Sequence, residues 1–366
     1  MLRLVKTAAA SALHWIGAGR RLAGNRPLVL SYHRVVDDFS EQARHSIPAM
    51  LISTKMLERQ LDWIGRRYQF VSLDELAAAL QAQKQSSRPI AAVTFDDGYE
   101  DVYVHGFPLL RRKGIPSAVF VVTDLLANPD YQNHDRLYLL LQRRFGSRCS
   151  EPAALFALLK EFGVPLPANK KGAARRVDYS QTVNFVLSTT PQSAVRRLVE
   201  RLETESPLDL EPTMYHRPLN WENVLTMHRA GVVIGSHTRT HAVLTTEEPE
   251  AVRDEIEGSR KVLEQKLGAP IRHFAYPDGR FDLSTIAAVA ASGYSFAYTT
   301  NSQALSDYPL LTIPRCLLWE LSCIDAFGRF SPAVLDCLIS GVFDLSVYGA
   351  SGHLAQNFLR GYAIDV

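Results

Sequence analysis

Seven short apolar runs punctuate the chain, at 28–33, 90–95, 117–122, 231–236, 271–276, 296–300 and 311–317. Between them lie longer stretches in which apolar residues recur every three or four positions: Lys55 to Arg67, Leu73 to Ala82, Asp101 to Lys113, Asn220 to Ala230, Pro249 to Leu267 and Leu283 to Ala291. Continuous apolar runs suit strands covered on both faces, and helical stretches of this length can each carry a crossover between parallel strands. The alternation predicts an α/β fold, a (β/α) barrel with fewer than eight strands. In such a barrel functional side chains gather at the carboxyl ends of the strands. This chain places His33, Asp96, Asp97, Thr123, His237, Tyr276, Thr300 and Arg315 there.

The rhythm breaks in three places. Residues 127–218 are too long for an ordinary connection. Helical patterns at Asp135 to Leu141, Ala153 to Phe162 and Ser193 to Glu203, around a loop with Pro165, Pro167 and Asn169 to Gly172, predict a helical insertion that caps the entrance to the barrel. Its charged residues read as solvated helix faces. Residues 1–26 begin like a leader peptide, but His14, Trp15 and the charges Arg20, Arg21 and Arg26 spoil a cleavage region. Leu2, Val5, Ala9, Leu13 and Ile16 fall instead at helical spacing, with Arg3 and Lys6 elsewhere. This basic amphipathic helix fits either peripheral contact with the inner face of a cell membrane or a plug for the barrel floor. No run approaches the roughly 18 apolar residues of a membrane-spanning helix. The expected organisation is a helix at 1–26, a barrel domain at 27–330 with the insertion inside it, and a C-terminal extension at 331–366 broken by Gly349, Gly352 and Gly361.

Composition narrows the partners. The 366 residues are 46% hydrophobic and 21% charged, which suits one large domain with additions. Lys and Arg number 40 against 38 Asp and Glu, a net charge of +2, and no basic stripe carries interleaved aromatics, so no nucleic-acid partner is expected. Cys149, Cys316, Cys323 and Cys337 lack CxxC spacing and read as buried thiols, which favours a reducing, cytoplasmic location.

The chemistry concentrates in Val93-Thr94-Phe95-Asp96-Asp97-Gly98-Tyr99, where two adjacent carboxylates end a buried run. Desolvation and mutual repulsion would raise one of their pKa values unless a cation stands nearby. Alone, the pair reads equally well as a strand end and helix cap. Val232 to Ser236 followed by His237 and His241 shifts the balance, because two histidines four residues apart, on one helical turn, point the same way and suit a divalent metal. With Asp97 they form a His, His, Asp set. Histidine pairs at this spacing are usually structural, but a pair ending one strand and matched to an Asp pair ending another is not the usual case.

At 94–99 the sequence TFDDGY, with SHTRTH at 236–241, resembles the polysaccharide deacetylase family, also called the NodB-homology fold or carbohydrate esterase family 4. Phe274-Ala275-Tyr276-Pro277-Asp278-Gly279 resembles that family's third motif, and Tyr32-His33-Arg34-Val35 the entry strand of its exopolysaccharide-biosynthesis branch. The resemblance spans about residues 28–318 and implies a distorted (β/α)7 barrel with a helical insertion. It implies Asp96 as general base, and Asp97, His237 and His241 as ligands of a divalent metal, zinc foremost, with Co2+, Ni2+ or Mn2+ as substitutes. Water activated by the metal would attack an acetamide of an acetylated amino-sugar glycan, with a backbone N–H after Gly98 stabilising the oxyanion. The histidine that many relatives use as acid is absent near 311–317; the resemblance to the exopolysaccharide branch, where a histidine of the first strand fills that place, implies His33 as acid, against the alternative of a core histidine under the barrel. The arginine many relatives use to orient the base is replaced by Ala275. Arg315 can pair with Asp96, serve the substrate or cap the barrel; pairing is the reading adopted. Tyr99, Tyr276 and Trp221 are the expected substrate-binding aromatics, Trp221 reading also as a core anchor. A small-amide hydrolase and an inactive carbohydrate-binding relative are the alternative functions.

Overall fold

The computed structural model describes residues 2–15, 17, 24–83, 87–146, 149–165, 177–208, 216–301 and 304–342. Strands β1 (Leu28–Tyr32), β2 (Ile90–Phe95), β3 (Ser117–Val121), β4 (Val233–Ser236), β5 (His273–Ala275) and β6 (Phe296–Thr299) pair in parallel, in that order around the sheet. The seventh position is filled by two short pieces, β7 (Ile313–Pro314) and β8 (Cys316–Leu317), separated by Arg315 alone. β7 pairs with β6 through Ile313 and Tyr298, whereas β8 pairs with β1 through Leu30 and Cys316. The last strand therefore closes the barrel, changing partners at Arg315. All seven expected runs are strands, and the barrel has the expected seven positions.

Side-chain alternation along each strand sorts residues between two apolar clusters. Leu28, Leu30, Tyr32, Val93, Phe95, Val119 and Val121 pack with the surrounding helices. Val29, Ala92, Ala118, Phe120, Ala275, Tyr298 and Ile313 form a separate cluster that fills the barrel. Leu73, Leu76 and Ala77 of the helix Leu73–Gln81 belong to this inner cluster, so that helix closes the floor. The N-terminal helix α1 (Leu2–Trp15) does not. Its Ala10 packs instead with Ala333, Val334 and Cys337 of α2 (Pro332–Ile339), which corrects the plug reading. No helix among the described residues is long and apolar enough to cross a membrane.

The inner parity, followed upward, turns polar: Ser31, Thr94, Asp96, His237 and Arg315 continue the rows that start at Val29, Ala92, Val233 and Ile313. Apolar filling below and polar groups above is what places chemistry at one mouth of the barrel.

The insertion forms four helices, Asn133–Phe145, Pro152–Glu161, Tyr179–Thr189 and Gln192–Glu205, around a core of its own that includes Leu137, Leu141, Leu155, Val186 and Leu198. The sequence pattern missed the third of these. The Pro167 and Asn169 to Gly172 loop, together with Ile16, Arg20, Arg21 and all residues from 343 onward, lies outside the described residues. The four cysteines form no disulfide.

Candidate active site

Strand alternation alone would turn Asp97 away from the barrel, since Asp96 points in. Backbone dihedrals reverse this: Asp97 has φ 70° and Gly98 φ 72°, two consecutive left-handed residues that end β2 and swing the second carboxylate back toward the mouth. Gly98 is also close-packed, since an added Cβ would lie 3.2 Å from Val121 Cγ1.

His237 and His241 converge by another route than the helical turn expected from their spacing. The segment after Ser236 is a loop with left-handed residues at Thr238 (φ 67°) and His241 (φ 60°). Glu255 holds it, accepting from the backbone N–H groups of Arg239 and Thr240 at 2.8 and 2.9 Å and from the Thr240 hydroxyl at 2.6 Å. The two imidazoles end with centroids 4.8 Å apart.

One ligand atom from each of Asp97, His237 and His241 lies within 4.8 Å of the others. The Nε2 atoms of His237 and His241 stand 3.4 and 3.2 Å from Asp97 Oδ1. Neither Asp97 oxygen completes a hydrogen bond, although the residue is 2% exposed. A buried carboxylate left unpaired is costly, and two imidazole nitrogens facing it make a donor set that fits a divalent cation. His237 Nδ1 lies 2.8 Å from the Ala275 carbonyl, which leaves Nε2 as the ligand atom. Burial holds the His237 pKa down, at about 4, only partly offset by Asp96, so the ring is neutral and able to bind metal near pH 7.

Asp96 has a different environment. Arg315 donates from both terminal nitrogens to its two oxygens, at 2.6 and 2.8 Å, and Ser31 Oγ donates to Oδ2 at 3.2 Å. Burial alone would raise the Asp96 pKa, but the Arg315 charge, followed by His237 and the guanidinium hydrogen bonds, brings it below the usual carboxylate range. Arg315 is positioned by its place between β7 and β8 and by the Phe120 ring, 5.3 Å from its guanidinium carbon. His33, just beyond β1, is half-buried, and its Nδ1 is buried with no hydrogen-bond partner.

The model of the family described as polysaccharide deacetylase matches residues 83–143 and 182–297. The chain contains a polysaccharide deacetylase domain. Among curated relatives it is 31% identical over 85 residues to the poly-beta-1,6-N-acetyl-D-glucosamine N-deacetylase of Escherichia coli strain K12, covering 23% of this chain and 12% of that protein. It is 26% identical over 121 residues to the enzyme of the same name from Staphylococcus aureus strain N315, covering 31% of this chain and 41% of that one. The matches thus span less than half the length of these relatives. Two solved structures share the fold: the Streptococcus pyogenes deacetylase PplD in complex with acetate (TM-score 0.53, 18% identity, 85% of this chain and 97% of that one) and IcaB from Ammonifex degensii (TM-score 0.50, 18% identity, 81% and 92%).

Asp96, Asp97, His237 and His241 fall inside the segments matched by the deacetylase family model, whereas His33 and Arg315 fall outside. The structure nevertheless joins Arg315 to Asp96. Two aromatic expectations, Tyr99 and Tyr276, are corrected, and Trp221 fits the core-anchor reading. Tyr99 is 1% exposed, its hydroxyl 2.5 Å from Asp135 Oδ2 and 2.7 Å from His134 Nε2, so it has no face for a sugar. Tyr276 is likewise buried, its hydroxyl donating to the Leu311 carbonyl. Trp221 packs against the main core at the start of its helix, with Lys266 Nζ 5.5 Å from the ring centroid. Sequence reasoning missed His134 and Asp135, which the insertion brings to the site. Asp135 belongs to the charged residues expected on solvated helix faces, and His134 precedes the expected helix, yet both are buried. The signal available was Asn133-His134-Asp135, three polar residues opening an apolar helix that follows a strand flanking the site.

Proposed function

We propose that this chain is a metal-dependent N-deacetylase acting on acetylated amino sugars of a glycan, releasing acetate and leaving a free amine. The observation that carries this reading is the division of labour between neighbouring carboxylates: Asp96 is clamped by Arg315, while the Asp97 carboxylate faces the Nε2 atoms of two imidazoles at 3.4 and 3.2 Å. The names of the curated relatives support the substrate class. Asp97, His237 and His241 would hold the ion, zinc foremost. Such an ion, when bound, polarises an amide carbonyl and acidifies water.

The chain's own residues then handle the protons. Asp96 is buried and kept ionised at neutral pH by Arg315, so it can accept the proton of the water that adds to the carbonyl carbon. The two hydrogen bonds from Arg315 occupy one lone pair on each carboxylate oxygen and Ser31 occupies the second on Oδ2, so Oδ1 keeps a lone pair free to receive that proton. As the C–N bond breaks, the departing nitrogen needs a proton, and the half-buried His33 supplies it.

Acetate release from N-acetylglucosamine oligomers tests the reading, with Asp96→Asn and His33→Ala as comparisons. Each variant is expected to lose about 100-fold or more in turnover. Undiminished turnover in Asp96→Asn would remove the base assignment, and an unchanged rate and pH profile in His33→Ala would remove the acid.

A further inference from the structure

The turn Asp97-Gly98-Tyr99 is gripped by both ends of the insertion. On the entry side Gln132 Nε2 donates to the Asp97 carbonyl at 2.9 Å. On the exit side Leu219 N–H donates to the Gly98 carbonyl at 2.7 Å, and Glu100 N–H to the Arg217 carbonyl at 2.9 Å. The Tyr99 hydroxyl has one hydrogen, and the Asp135 carboxylate 2.5 Å away takes it. His134 must then present Nε2–H to the Tyr99 oxygen, 2.7 Å away, which fixes its tautomer. So held, the His134 ring stands 3.8 Å from Asp97 Oδ2 and edge-on to His241, with centroids 5.2 Å apart.

This polar grip is expensive. Gln132, His134, Asp135 and Tyr99 are 2%, 6%, 1% and 1% exposed, and burying such groups costs free energy that their hydrogen bonds, with the Arg34 guanidinium 4.9 Å from the Tyr99 ring centroid, offset. These groups are not what holds the insertion's helices together, which pack around an apolar cluster apart from the one that fills the barrel. What they hold is Asp97, in a left-handed conformation that a residue with a Cβ adopts only when its surroundings impose it.

We infer that the entry segment of the insertion is a working part of the metal centre: Gln132, with the Tyr99, His134 and Asp135 triad, positions Asp97 to present its carboxylate to the ion. The inference rests on the metal reading proposed above. It makes ion retention depend on the insertion, beyond any role the insertion has in covering the mouth.

Full-length wild type, Gln132→Leu, Tyr99→Phe and Asp97→Ala are titrated with Zn2+ against a competing chelator, and with Co2+ while its d–d absorption is followed. Loss of a group that orients a ligand typically weakens metal binding by about 10- to 100-fold. That loss is expected in Gln132→Leu and in Tyr99→Phe, with an altered Co2+ band and an unchanged circular dichroism spectrum of the metal-free protein. Should one variant fail to fold, the other carries the same comparison. Wild-type affinity and an unaltered Co2+ band in a folded variant overturn the inference. A wild type that binds no more tightly than Asp97→Ala overturns instead the metal reading beneath it.

Discussion

Arg315 shows how one side chain can set the chemistry of another. Its charge opposes the effect of burial on Asp96, so its removal leaves burial to act alone and the Asp96 pKa must rise. A base works deprotonated; in Arg315→Ala the acid limb of the turnover profile is therefore expected to move to higher pH, with the largest loss of rate at low pH. Removing one partner of a buried pair also costs about 3–5 kcal/mol of stability, measurable by denaturant unfolding. If the acid limb stays put while substrate affinity falls, Arg315 serves the substrate instead. Asp96, Asp97, His237 and His241 were legible as a set because each ends or follows an apolar run, a local feature. The separate tasks of the two aspartates were implied by the family resemblance and not by the local pattern. They depend on the left-handed turn at 97–98 and on a guanidinium from the far end of the chain.

At the scale of elements, strand β4 is constrained as tightly as the turn it feeds. Gly235 lies on the inner row below His237, and a Cβ there would come within 2.5 Å of the Phe120 ring and 3.1 Å of the His273 carbonyl. The Phe120 ring supports Arg315, so pressure on it reaches the base. Gly235→Ala is expected to destabilise the fold by about 1–3 kcal/mol through overpacking and to reduce turnover as well. An unshifted denaturation midpoint would show that the ring gives way freely. The strands were legible from run length, because a strand buried on both faces has to be apolar throughout. The loop carrying His241 was not. A four-residue spacing suits a helical turn, and the irregular path is imposed by distant groups, among them Glu255 of the following helix Pro249–Leu267 and the backbone N–H of Asp124, which donates to the Arg239 carbonyl.

For the whole molecule, the N-terminal helix is the element whose partner matters most. His14 Nδ1 lies 2.6 Å from Asp336 Oδ2, Trp63 Nε1 donates to Asp336 Oδ1 at 2.9 Å, and Cys337, beside Ala10, is 1% exposed. Removing residues 1–23 is expected to uncover the Cys337 thiol, so a thiol reagent should modify it many times faster than in the full chain. Equal rates would mean that α1 does not shield α2. The sequence by itself determined the alternating strands and helices, the seven positions of the barrel, the insertion and the carboxylates and imidazoles at the strand ends, because periodicity and run length are properties of neighbouring residues. Tertiary structure turned the expected pairing of Arg315 with Asp96 into a contact, and alone decided the others between distant segments: Leu73–Gln81 as the floor, α1 on α2, and Gln132, His134 and Asp135 around the Asp97 turn. Those pairings follow from barrel closure and from which polar groups can satisfy one another once water is excluded, and neither is written in any local stretch of the chain.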